Sequence, residues 1–178
     1  MSCFDDLPKH QADRVSALYG IDGKSTRACR QGALELLGDY KFAEPPVRYS
    51  SRWRSKGLPV YHYVLDEVNP FRHSLGAHHG IDILYLFGDY DLSKTPELER
   101  TGREMRCRWI RFVNGLKPWD GVLAAFGPFG VFDELDKGSS SNRRRWAHLK
   151  VIQDLRPALD RVMDRLATGK FENSGPRI

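Results

Sequence analysis

Cysteine is scarce in this 178-residue chain. Its three copies, Cys3, Cys29 and Cys107, cannot make an even disulfide framework and stand too far apart for a zinc knuckle. Long apolar runs are missing as well, since no stretch approaches the ~18 uninterrupted apolar residues of a membrane helix. Residues 1–11 hold Asp5, Asp6, Pro8 and Lys9 and no apolar run, so no signal peptide is read there. There is no internal repeat, no clean domain boundary, and no low-complexity tract beyond Ser139-Ser140-Ser141. With 40% hydrophobic and 29% charged residues, the composition is that of a globular chain and excludes disorder and collagen-like repeats.

What is present starts with a positive balance. The net charge is +5, and the whole excess lies in residues 91–178. A basic half can mark a surface for nucleic acid or anionic membrane, or simply the solvated faces of Arg-rich helices. The latter is the expectation, and no nucleic-acid partner is expected. A non-enzymatic interaction protein that binds an anionic partner stays as the competing class.

Along the chain, Ser25-Thr26 caps a helix through Ala28, Leu34 and Leu37, with Gly38 placed to end it and Gly38-Asp39 reading as a turn. Pro45-Pro46 then starts a second helix with Val47, Tyr49 and Trp53, stopped by Gly57. Residues 58–65 are aromatic and β-branched and read as a strand buried on both faces, as in a parallel or mixed sheet. A loop from Asp66 to Gly80 follows, with Asn69-Pro70 and three histidines. Ile81–Phe87 has the local pattern of a strand, although a short buried helix would look the same. Thr95-Pro96-Glu97 opens a long helix whose face is Leu98, Met105, Trp109, Phe112 and Val113, ended at Asn114-Gly115. Residues 114–142 lack regular pattern. Trp146 to Ile152 suggests a short strand, and Asp154 caps a last helix that Gly169 ends. The class is α/β, with two to three strands, a thin basis for an independent domain.

The histidine loop is the most informative place for chemistry. In open α/β sheets, sites form outside the carboxyl ends of the strands. A histidine on the loop leaving strand 58–65 suits proton transfer at neutral pH. Other constellations are weaker. His62, His73, His78 and His79 with Asp66 fit no common zinc spacing. Arg143-Arg144-Arg145-Trp146 reads as a solvated turn, and Gly127-Pro128-Phe129-Gly130 lacks the Lys-Ser/Thr sequel of a phosphate loop. Trp53, Trp109 and Trp146 read as core.

The stretch YHYVLDEVNPF…AHHGIDILYLFGDYD, followed by REMRCRWIRFVNGLKPW, resembles the C-terminal part of the type B carboxylesterases. These are cholinesterase-like esterases and lipases of the α/β-hydrolase class, and the wording is similar to fungal members. The resemblance is good over about residues 34–119 and loose over 120–168, with residues 170–178 a frayed tail. It implies that residues 1–178 form part of an α/β-hydrolase fold, with strands of a mixed sheet and packing helices. It makes Ile81–Phe87 a short buried helix or turn. It maps the base of a Ser-Asp/Glu-His triad onto His79, whose role is to take a serine proton and return it to the leaving alcohol. It implies an ester as substrate and no metal or cofactor.

The same resemblance exposes a gap. The nucleophile of that class sits in Gly-x-Ser-x-Gly and precedes the histidine. The chain has no such motif, and Gly138-Ser139-Ser140-Ser141-Asn142 lies after His79 without the second glycine. No Gly-Gly-rich oxyanion segment is present. Asp13, Glu35, Glu44, Asp66 and Glu67 match no triad motif. The expectation is a truncated member, a gene-model fragment or a degenerate copy, inactive alone and exposing apolar surface. Ester preference, compartment and oligomeric state stay open.

Overall fold

The computed structural model describes residues 4–5, 7–135 and 146–168. The chain divides into two compact units, Met1–Arg48 with Arg145–Ile178, and Tyr49–Arg144.

The first unit is helical. Helix α1 spans Lys9–Tyr19, α2 spans Thr26–Gly38 and α6 spans Trp146–Thr168. Ser25 caps α2 as its sequence announces, its Oγ accepting from the Ala28 N–H at 3.4 Å. Gly38 is the last residue of α2, but the turn expected at Gly38-Asp39 does not form. Gly38 keeps right-handed dihedrals and leads into a π-helical turn, Asp39–Ala43, continuous with α3, Glu44–Arg54. Pro45 and Pro46 sit in the first turn of α3 and have no N–H to offer the carbonyls of the π turn. The wider π turn before them carries the Glu44 N–H to the Asp39 carbonyl instead. The expected strand at Trp146–Ile152 is the first part of α6. Leu149, Ile152, Leu155, Leu159, Val162 and Met163 recur at helical spacing and are all buried against α1 and α2 residues such as Val15 and Leu36. Helix α1 was not marked by any strong signal. Its buried pair, Val15 and Tyr19, is one turn apart.

The second unit is built on a three-stranded mixed sheet, ordered β1 (His62–Leu65), β2 (Leu123–Phe126), β3 (Phe132–Leu135). Strand β1 runs parallel to β2, and β3 antiparallel to β2. Only half of the 58–65 run is strand, because pairing with β2 begins at His62↔Leu123. Strands β2 and β3 lie in the stretch that showed no pattern. Helix α4, Ile81–Phe87, takes the helical alternative, with Ile81 and Tyr85 buried one turn apart while Ile83 and Phe87 are exposed. Helix α5, Pro96–Val113, begins at Thr95 with Pro96 in its first turn. Leu98, Thr101, Gly102 and Met105 are its buried face, and α5 packs on α4 and β2. Phe112 and Val113 are exposed, contrary to expectation. Phe112 forms T-shaped ring pairs with Tyr61 and Trp109, centroids 6.1 and 6.3 Å apart. Trp119 anchors the sheet by edge contacts to Tyr61 and Phe126 at 5.8 and 6.2 Å. Trp53 is likewise exposed on α3, with Lys56 over its ring, so it is no core residue.

This three-stranded mixed sheet with its packing helices is the architecture of part of an α/β-hydrolase fold. Among the described residues no helix is long and apolar enough to cross a membrane. The serine tract 139–141, the arginine run 143–145 and the tail after Gly169 lie outside the described residues.

Candidate active site

Strands β1 and β2 point the same way, so their carboxyl ends lie side by side. The Asp66 N–H donates to the Phe126 carbonyl at 2.7 Å, extending the ladder by one bond. Two loops leave this edge. One runs from Asp66 to Gly80 and carries the histidines. The other is Gly127-Pro128-Phe129-Gly130.

Glu67 joins them. Its side chain is 2% exposed, and Oε2 accepts from the Thr101 hydroxyl at 2.9 Å and the Gly130 N–H at 3.1 Å. Oε1 lies 3.3 Å from the Val68 N–H. The loops approach so closely that a Cβ on Gly127, at φ +84°, would lie 2.7 Å from the Glu67 nitrogen. That proximity, rather than any phosphate, accounts for glycine at position 127.

The histidine loop is pinned at several points. The Tyr85 hydroxyl donates to the Val68 carbonyl at 2.6 Å, tying the loop start to α4. Burial, with the neighbouring Glu67 charge, pushes the Tyr85 phenol well above its ordinary range, so it stays a donor. Asn69 is buried. Its Oδ1 accepts from the N–H groups of Phe71 and Arg72 at 2.8 and 3.0 Å, and its own N–H donates to the Gly76 carbonyl at 3.1 Å. Asn69 Nδ2 faces His78 Nε2 at 2.9 Å, and His78 Nδ1 lies 3.0 Å from the carbonyl of His79.

His79 sits in the turn directly before α4 and is exposed, with Gly80 at φ +85° beginning the helix. It therefore stands on the loop that leaves the carboxyl end of β1, not in packed interior. Asp82, three residues on, accepts from the Tyr63 hydroxyl at 2.8 Å, which links the start of α4 back to β1. Burial and that bond raise the Tyr63 phenol strongly. The other histidines do not gather around His79 as a ligand set. Among the described residues no group of three or more His, Cys, Asp or Glu is placed to hold a metal ion. Glu44, one of the unassigned acids, is fully buried between Arg48 at 3.0 Å and Arg156, and belongs to the helical unit.

Sequence reasoning missed Glu67, Asn69, Tyr85 and Thr101 as parts of this edge. Only Asn69 carried a signal, the Asn-Pro turn pair.

A family model described as the carboxylesterase family matches residues 6–146. Lipase 3 of Yarrowia lipolytica is 29% identical over 110 residues, covering 60% of this chain and 22% of that protein. Lipase 1 of the same organism is 22% identical over 147 residues, covering 82% of this chain and 30% of that protein. The chain thus spans less than a third of the length of these curated relatives. No solved structure matches it. With the family match covering most of its residues, and with relatives that are fungal lipases, the chain belongs to the carboxylesterase family.

Proposed function

We propose that this chain supplies the general-base histidine of a serine carboxylic-ester hydrolase, that the base is His79, and that these 178 residues alone do not turn over esters. The observation that carries the reading is the position of His79. It is exposed, on the loop leaving the carboxyl end of a parallel strand, inside a His-Gly-x-Asp block. Open α/β sheets assemble their chemistry at that edge. A neutral imidazole there takes the proton of an attacking serine hydroxyl and returns it to the departing alcohol. The serine becomes acylated as the alcohol leaves; the same histidine then takes a proton from water, which attacks the acyl carbonyl, and gives it to the departing serine oxygen as the carboxylic acid is released.

The base needs partners that this stretch does not encode. No Gly-x-Ser-x-Gly occurs in the 178 residues. Without an aligned hydroxyl and oxyanion donors, an imidazole has nothing to activate and nothing to stabilise. Both Yarrowia relatives are lipases, which favours an ester of a fatty acid as substrate.

The test is a pair of assays. The purified chain is expected neither to hydrolyse a nitrophenyl ester nor to take a fluorophosphonate label. Turnover or labelling that His79→Ala abolishes would refute inactivity while keeping the base. In a longer polypeptide that joins this chain to a segment bearing Gly-x-Ser-x-Gly, His79→Ala is expected to lower kcat by about a thousandfold or more. Turnover indifferent to His79→Ala would remove the base assignment.

A further inference from the structure

Asn69 and His78 make a second, separately testable arrangement beside the base. The orientation of the Asn69 amide follows from its surroundings. Two backbone N–H groups, Phe71 and Arg72, point at one end of it, so that end is the oxygen. The other end is therefore the NH2 group, which can only donate. It faces His78 Nε2 at 2.9 Å, and that nitrogen must then be the bare acceptor of the ring. A neutral imidazole with a bare Nε2 carries its proton on Nδ1. Nδ1 lies 3.0 Å from the carbonyl oxygen of His79, which can only accept. The two contacts agree on one tautomer, and each requires it.

We infer that Asn69 and His78 form a tautomer-fixed strut that positions residue 79. The strut runs from the buried Asn69 through the His78 ring to the His79 peptide. It crosses the loop, joining positions nine residues apart. Its far end holds the peptide from which the His79 side chain departs, one residue before Gly80 turns the chain into α4. His78 is thus a positioning residue. The turn closes on it from the other side too, because the Ile81 N–H donates to the His78 carbonyl at 3.2 Å. The benefit to catalysis rests on the reading of His79 as the base, whereas the tautomer does not.

The test is a long-range proton–nitrogen correlation spectrum of the isotope-labelled 178-residue chain, which reads the protonated nitrogen of each imidazole. His78 is expected to carry its proton on Nδ1. A His78 with its proton on Nε2 would overturn the strut, and the wild-type spectrum alone decides this. Asn69→Asp keeps the acceptor for Phe71 and Arg72 but replaces the donor facing His78 with a second acceptor. The ring is then expected to present Nε2–H, and the His79 ring signals are expected to shift with it. His148, packed edge-on against Tyr19 in the other unit, is the internal control and is expected to hold still. Unmoved His79 signals in Asn69→Asp would overturn the positioning role. His78→Ala keeps the backbone carbonyl that Ile81 bonds but removes the ring's bond to the His79 carbonyl, and the loosened turn is expected to speed amide exchange at Ile81 about tenfold. Unchanged exchange counts against the strut. The two readings fail separately. Loss of the Nδ1–H tautomer leaves the dependence of turnover on His79 standing, and turnover indifferent to His79→Ala leaves the tautomer standing.

Discussion

Replacing Thr101 by Val removes a single hydroxyl from the interior of the sheet-containing unit. Thr101 is 1% exposed, and its Oγ1 donates to Glu67 Oε2 at 2.9 Å. Glu67 is itself 2% exposed, so water cannot replace the lost donor without opening the fold. The Gly130 N–H remains on the same oxygen at 3.1 Å. A hydrogen bond to a charged group contributes roughly 1.5–3 kcal/mol, and leaving a buried acceptor short of a donor costs at that level. About 2 kcal/mol is therefore expected to be lost, which is about thirtyfold in the opening equilibrium. The suitable assay is native-state amide exchange at Ala124 and Ala125, both fully buried in β2. Their exchange is expected to accelerate about thirtyfold, while amides of Leu159 and Val162 in the helical unit report no change. Exchange in β2 that moves less than about twofold would refute the reasoning. It would mean that the Glu67 carboxylate does not depend on this donor, and that the two loops are held together by something else.

Three other outcomes follow from the same geometry. Gly127→Ala puts a Cβ 2.7 Å from the Glu67 nitrogen at φ +84°, whereas Gly57→Ala, at φ +75°, meets nothing within 4 Å. The first is expected to cost about 3 kcal/mol and the second about 1, read as the difference between their urea unfolding curves. Equal costs would show that the loop is free to move away. Tyr85→Phe removes the donor from the Val68 carbonyl and is expected to cost about 1 kcal/mol, with faster exchange at the Asn69 amide as the local readout. Unaltered exchange there would separate the loop from α4. Burial first, and then the hydrogen bond to Asp160, push the Tyr40 phenol up to about 12 from 10.0. The raised value means that the folded state holds the proton more tightly than the unfolded one. This stabilisation is complete below pH 10 and is lost as the pH climbs through 12. Tyr40→Phe is expected to flatten that alkaline decline in the urea midpoint, and an unchanged slope would assign it to other groups.

What the sequence disclosed and what it withheld divide along the range of the interactions. Ser25 and the Thr95-Pro96 start needed only their own neighbours to declare a helix, and α2 and α5 begin where those residues stand. The place of His79 on the loop after β1 was legible for the same reason, since its block is contiguous. Strands β2 and β3 were not, because Leu-Ala-Ala-Phe and Phe-Asp-Glu-Leu are four residues each. Their strand character comes from being paired with one another and with β1. Helix α6 was misread at its start because β-branched Val151 and Ile152 favour strands locally. Burial along one helical stripe from Leu149 to Met163 overrides that preference.

Glu67 shows the limit most directly. Next to Asp66 in a polar loop, it has the local look of a solvated acid. Its Thr101 partner is 34 residues away and its Gly130 partner 63 away, and no spacing rule connects the three. A buried carboxylate without its donors is strongly unfavourable, so the fold must bring both to it together. Doing so fixes the two loops that leave β1 and β2 against each other. The loop bearing His79 then starts from a rigid point, and the Tyr85 and Asn69 bonds carry that rigidity toward the histidine. A contiguous block can propose a base, but the setting of that histidine is composed of residues that meet only after the sheet has formed.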